Sequence, residues 1–170
     1  TRQPPTPQES KIIADLSRAG KRLMGFSRTN LFKRLESGGK AFIQSIERHI
    51  LRNCVYLHAL ESNLPVPIGT QDASLLDSRF QDEDVQMTLL DDDDTSAKDV
   101  EEAVDGDHWQ QRAAGIYASY TGRLKKRFRW LRASCFKRQL GVDLQADNKA
   151  LLGILKRCGP WQAGGDAKLQ

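Results

Sequence analysis

Residues 29–64, TNLFKRLESGGKAFIQSIERHILRNCVYLHALESNL, decide how this chain is read. Leu31, Leu35, Phe42, Ile46, Ile50, Leu57, Leu60 and Leu64 recur there at steps of three, four or seven. At about 100° per residue they fall within one arc of roughly 100°, which is the pattern of an amphipathic helix. Ser27 or Thr29 can cap its start, because a short side-chain oxygen takes a free first-turn N–H. Arg34, Arg48 and Arg52 fall together on a second stripe, with Lys33 and Lys40 to one side. The spacing predicts one long helix with an apolar face and a basic face. Gly38-Gly39 lies inside it, at a cost of roughly 1 kcal/mol per glycine relative to alanine. Such a pair marks a kink or a close contact with a neighbour.

Working outward, the residues on either side also read as helices. Pro7, Gln8 and Glu9 open a segment whose apolar positions are Ile12, Ile13, Leu16, Leu23 and Met24, with Gly25 near its end. On the far side, Trp109, Ala113, Ile116, Tyr120, Leu124, Phe128 and Leu131 trace an apolar helix face that Asp105 or Asp107 can cap. Its later turns hold Arg123, Lys125, Lys126, Arg127, Arg129 and Arg132. Cations near a helix C-terminus are favourable, but six in ten residues exceeds that need. A last helix runs from Asp143 or Asp147 through Leu151, Leu152, Ile154 and Leu155, and Gly159-Pro160 supplies its stop. No segment shows a strand alternation. The expected fold is all-α, with roughly four helices, the long amphipathic ones antiparallel and joined by an acidic loop.

That loop is visible in the charge pattern. The 170 residues hold 26 Lys and Arg against 22 Asp and Glu, a net charge of +4. Residues 1–60 carry a balance of +7, residues 61–110 of −13 and residues 111–170 of +10. The middle contains Asp82-Glu83-Asp84, Asp91 to Asp94 and Glu101-Glu102, and Pro65, Pro67 and Gly69 punctuate its start. Blocks of like charge repel and seldom pack. The division read from this is a basic helical arm over 1–64, a mobile acidic loop over 65–107 and a basic helical arm over 108–170, with the arms packing as one domain. The alternative for the middle is a weak helix within 97–106.

Several function classes are not expected. No run approaches the roughly 18 apolar residues of a membrane span, and no charged segment followed by an apolar run suggests a secretory signal. Thr1 in place of Met reads as a piece of a longer protein. Cys54, Cys135 and Cys158 form no CxxC pair, which fits a reducing, cytoplasmic setting. Gly38-Gly39-Lys40 lacks the upstream glycine and the hydroxyl of a phosphate loop. Met87 to Asp92 resembles an apolar strand ending in acids, and Asp91, Asp93 and Glu102 sit at calcium-loop spacing, but Ser96 stands where the turn glycine belongs. Both read as a solvated acidic loop. His49, His58 and His108 lack ligand spacing with any cysteine, so no metal site is expected. Ser134-Cys135 has basic neighbours but no base or oxyanion site. Trp109, Trp130 and Trp161 read as core or interface residues before base-stacking platforms.

The basic surface stands above this background. Arginines and lysines along helices neutralise phosphates and release counter-ions, positioning a protein on nucleic acid without reading its sequence. The competing reading is a solvated face, or one paired with the chain's own acidic loop.

Two stretches resemble a known family. Ser27-Arg28-Thr29-Asn30-Leu31-Phe32-Lys33-Arg34-Leu35-Glu36-Ser37 is similar to a segment of Swi/Snf-like helicases that follows the first RecA-like motor lobe. Ala41-Phe42 and Glu47 through Asn53 resemble its continuation in a bacterial subgroup. Leu124 through Arg132, with Phe136, Leu151, Leu152, Leu155 and Trp161, looks like the later helical part, and Asp166 to Leu169 like the lead-in to the second lobe. The resemblance implies a non-catalytic helical insertion between two motor lobes of an ATP-dependent helicase or DNA translocase, which braces the lobes, contacts duplex DNA backbone and transmits closure. The phosphate loop, acidic Mg²⁺ motif and arginine finger of such a motor are missing from these 170 residues. ATP and Mg²⁺ are therefore expected for the parent and no cofactor for this piece. The residues expected at nucleic-acid backbone are Arg34, Arg48, Arg52, Arg123, Lys125, Lys126, Arg127 and Arg129, with Lys33 and Lys40 as lesser candidates. The alternative is a structural or protein-interaction helical module with no nucleic-acid contact.

Overall fold

The computed structural model describes residues 3–18, 33, 38–69, 76 and 106–158. Expectations placed on Leu23, Met24, Ser27, Leu31, Arg34, Leu35, the acidic run at 77–105, Trp161 and the 166–169 ending lie outside these residues. Among the described residues the chain is mostly helical, with four α-helices and one two-stranded sheet.

Helix α1 covers residues 7–18. Its start is a reciprocal cap. The Glu9 backbone N–H donates to Thr6 Oγ1 at 3.2 Å, and the Thr6 N–H donates to Glu9 Oε2 at 2.8 Å. Two donors that a helix start leaves without partners are satisfied at once, and Pro7 enters where a missing N–H costs nothing.

Helix α2, Gly39–Glu61, is the centre of the molecule. Ile46, Ile50, Leu51, Asn53, Cys54, Val55 and Ala59 are buried, and no residue from Ala41 to Leu60 is exposed. The single apolar stripe expected from the spacing is therefore too narrow. At 100° per residue the buried positions cover more than half the helix circumference, because other elements pack on several sides. The long helix expected to pass through Gly38-Gly39 starts there instead. Gly38 takes φ 139°, ψ 152°, a backbone that only glycine adopts without strain. The other end is closed by a left-handed Asn63 at φ 53°. The Leu64 N–H reaches Ala59 O at 2.8 Å and the Asn63 N–H reaches Leu60 O at 3.3 Å, which satisfies two of the last carbonyls.

Strand β1, Val66–Ile68, follows at once and pairs antiparallel with β2, Arg129–Leu131, in the register Val66 to Leu131, Pro67 to Trp130 and Ile68 to Arg129. The described residues are mostly helical as expected, with this small sheet added, and residues 66–68, expected at the start of the acidic loop, are a buried strand. A three-residue strand is too short to show an alternation, and all of β1 is buried, so it reads as a bare apolar run.

Helix α3, Gly106–Thr121, buries Trp109, Ala113, Ile116, Tyr117 and Tyr120, as its spacing predicts. It then stops, where a helix had been expected to continue to Leu131. Gly122 turns the chain, Lys125–Arg127 forms a 3₁₀ turn, and Arg129–Leu131 is the strand just described. Phe128 and Leu131 still enter the core, because a spacing of three serves a turn-and-strand as well as a helix.

A second 3₁₀ turn, Ala133–Cys135, leads to α4, Arg138–Cys158, which starts five residues before the expected Asp143. Helices α2 and α4 run in opposite senses, since Gln145 bonds Glu61 at 3.1 Å and Asn148 bonds Cys54 at 3.2 Å. The contact seen between α2 and α3 joins their C-terminal halves, where the His58 and Tyr117 rings lie 5.3 Å apart.

Ile50, fully buried at the middle of α2, is the most direct test of this arrangement. Ile50→Ala is expected to cost about 2–5 kcal/mol, read as a lowered urea midpoint with an unchanged slope. A loss below about 1 kcal/mol is the cost of a surface position and would contradict a central α2.

Candidate nucleic-acid interface

The basic residues of the C-terminal arm come together in one short segment. Arg123, Lys125, Lys126, Arg127 and Arg129 are all exposed, the first four on the turn between α3 and β2 and Arg129 at the first residue of β2, and not along a helix face. Their neighbours hold that turn in place. Phe128 is buried with its ring 4.5 Å from Tyr120. Trp130 stands edge-on to Phe128 and Tyr117, at 6.0 and 6.2 Å. Its Nε1–H donates to Lys125 O at 3.0 Å, tying the strand back to the 3₁₀ turn. The Tyr117 hydroxyl donates to Pro65 O at 2.7 Å, fastening the entry to β1. Gly69, at φ 154°, lets β1 pass close by: a Cβ there would lie 3.4 Å from both Arg127 O and Phe128 Cδ1. Trp130 is thus a structural residue with both edges in use.

The basic residues are not all equally available. Arg129 Nη1 pairs with Asp15 Oδ2 at 2.9 Å, and both side chains are about half exposed, at 52% and 42%. Such a surface pair contributes about 0–1 kcal/mol, so another anion can displace it. Arg127 also has an interaction within the chain. Arg132 is far more committed. Its Nε and Nη2 grip the two Glu9 oxygens at 2.7 Å each, and its remaining donors reach Gln3 Oε1 and Pro4 O at 3.0 Å. Arg132 and then the Thr6 backbone N–H hold the Glu9 carboxyl well below its ordinary range. The same carboxylate therefore caps α1 and clamps it to the end of β2.

The N-terminal candidates are placed differently. Arg34 lies outside the described residues. Arg48 and Arg52 are half-buried on α2 and form no exposed stripe. Arg48 also precedes the end of α2 by 13 residues, about 20 Å along the axis, whereas the basic turn lies next to β1, beyond that end. Lys33 and Lys40 are exposed, and each has an interaction within the chain. Among the described residues, the exposed cations of the candidate set gather at 123–129, while Arg48 and Arg52 lie half-buried on α2. The Glu9–Arg132 clamp had half a signal in the sequence. Thr6 to Glu9 has capping-box spacing, but nothing local points to a partner 123 residues away.

Burial pushes the Cys54 thiol up to about 11, which makes it a poor nucleophile. Burial, and then the charge of Arg52, push His49 below its ordinary value. Among the described residues no three His, Cys, Asp or Glu side chains converge as metal ligands, and no helix is long and apolar enough to cross a membrane. No protein family, curated protein or solved structure matches this chain.

The Glu9 clamp makes a pH prediction. A carboxyl held below its unfolded value of about 4.5 stabilises the fold above that pH and loses this contribution as the pH falls below it. Glu9→Gln is expected to lower the thermal midpoint at pH 7, and to shrink the drop between pH 7 and pH 3. An unchanged drop in the variant would show that the clamp does not drive the acid sensitivity.

Proposed function

We propose that this chain is a non-catalytic helical module that contacts nucleic-acid backbone, with duplex DNA as the expected form. It would serve as an accessory domain of an ATP-dependent helicase or DNA translocase. The observation that carries the first half is the basic turn, with five exposed cations in seven residues on a backbone anchored at both ends. A backbone already fixed carries no further ordering cost when phosphates bind, and each exposed Lys or Arg loses only its own side-chain freedom. Arg123, Lys125 and Lys126 are its least encumbered members, while Arg127 and Arg129 must first exchange an internal contact. The turn presents no apolar wedge and no free aromatic, which suits backbone contact without base readout.

The motor-protein half rests on the resemblance of residues 27–37 and 124–132 to Swi/Snf-like helicases. In that reading the neighbouring RecA-like lobes hold ATP and Mg²⁺, and this domain braces them. The three cysteines are free thiols, which suits the cytoplasm.

A second reading, a structural or protein-interaction module, is favoured by the use of Arg129 and Arg132 to hold α1. Fluorescence anisotropy with a short labelled duplex separates the two. Three to five phosphate contacts predict a fall of about 40-fold to 500-fold in affinity between 50 and 200 mM salt. Replacing Arg123, Lys125 and Lys126 together with alanine should flatten the log–log slope by nearly three. Absence of binding at 50 mM by folded protein would favour the second reading. Binding with an unaltered slope in the triple variant would move the contact off the turn.

A further inference from the structure

A cleft of about 550 Å³ opens where α2, α3 and α4 meet, on residues the basic turn does not include. Ligand sites of about 300–1,000 Å³ are typical of small-molecule pockets. Its apolar walls come from Ile50 and Leu57 of α2, Trp109 of α3 and Leu152 of α4, and polar side chains complete the lining.

Three features set it apart from a packing defect. Asn148, only 8% exposed, lines it, donates through Nδ2 to Cys54 Sγ at 3.2 Å, and leaves Oδ1 with no partner among the described residues. Turning the amide over lets the Cys54 thiol donate to Oδ1 and leaves the NH₂ unpaired instead, so one end lacks a partner either way. Gly153 sits in the middle of α4, where a glycine costs about 1 kcal/mol relative to alanine. A Cβ on it would meet no described atom within 4 Å, as at Gly115 and Gly141, so the space beside it is open among the described residues. The third feature is charge. Lys149 and Lys156 line the same cleft, about one helical turn before and one after Leu152, without an ion-pair or hydrogen-bond partner among the described residues. One acid, Glu61, also lines it and accepts from Gln145 at 3.1 Å, so the two lysines outnumber the acids of the cleft by one charge.

We propose that this cleft binds a small amphipathic anion: a flat apolar body against Trp109 and Leu152, a polar group that pairs with the Asn148 amide, and an acidic group held by Lys149 and Lys156. The site is independent of the nucleic-acid reading and stands whether or not the basic turn binds DNA.

Two naphthalene dyes differing by one charge provide the test. Anilinonaphthalene sulfonate carries an apolar body, an N–H and an anionic sulfonate, and N-phenylnaphthylamine lacks only the sulfonate. Both are titrated into the full chain by fluorescence, with circular dichroism confirming the fold of each variant. Saturable binding of one sulfonate dye per chain is expected, about tenfold weaker in Lys149→Gln with Lys156→Gln. The uncharged dye should bind that double variant and the parent protein alike. Asn148→Leu should weaken both dyes, and Gly153→Phe, which fills the cleft while improving the helix, should abolish both. The proposal is overturned if the folded protein binds neither dye, if Gly153→Phe leaves binding intact, or if loss of the lysines weakens both dyes equally.

Discussion

The burial of α2 on most of its circumference is the constraint from which the rest follows. A helix covered on several sides must find its partners in distant parts of the chain, since its own neighbours in sequence cannot wrap around it. Here α3 supplies Trp109, Ala113, Ile116 and Tyr120, α4 supplies Leu144 and Asn148, and β1 continues directly from the α2 C-terminus. The termini of α2 are correspondingly sharp. Gly38 and Asn63 take positive-φ backbone conformations at the two ends, and no residue between Ala41 and Leu60 is exposed. Fully buried Ile50, Leu51 and Val55 sit in the core that α3, α4 and β1 help to cover.

The second organising feature is the aromatic seam His58, Tyr117, Trp130, Phe128, Tyr120. It connects α2, the C-terminal half of α3 and β2. A two-stranded ribbon is marginal by itself, and this one persists because its inner face is seated on these rings. The exposed basic turn is the outer edge of the same assembly. Its charges are solvated, while its backbone is fixed by the Trp130 bond, by the packing of Phe128 and by the close approach at Gly69. Function on this surface thus depends on residues that no ligand would touch.

Charge within the chain tempers that surface. Two carboxylates of α1 lie against the ends of β2, one in a half-exposed pair and one in a two-point fork with Arg132. The difference between them is geometric. Glu9 presents both oxygens to a planar guanidinium and is itself fixed by the Thr6 cap, whereas Asp15 makes one contact in water. Arg129 therefore remains exchangeable and Arg132 does not, although both are arginines three residues apart.

Local pattern alone carried a good part of this. The 3.6-residue period of Ile46, Ile50, Leu57 and Leu60 and of Trp109, Ala113, Ile116 and Tyr120 places α2 and α3, because a helix that buries a face must repeat apolar residues at that spacing. The basic character of 123–129 and the helical nature of 151–155 are equally legible. Tertiary contact decided the rest. Whether 122–131 continues as helix or turns into a strand depends on β1 offering its backbone groups, and residues 66–68 are too short to announce themselves. Whether Gly38-Gly39 bends a helix or begins one depends on what lies against it. The half-burial of Arg48 and Arg52, the pairing of Glu9 with Arg132 and the cleft beside Asn148 join residues far apart in sequence. Spacing along a chain reports which side of an element a residue occupies, and only the packed molecule determines what meets it there.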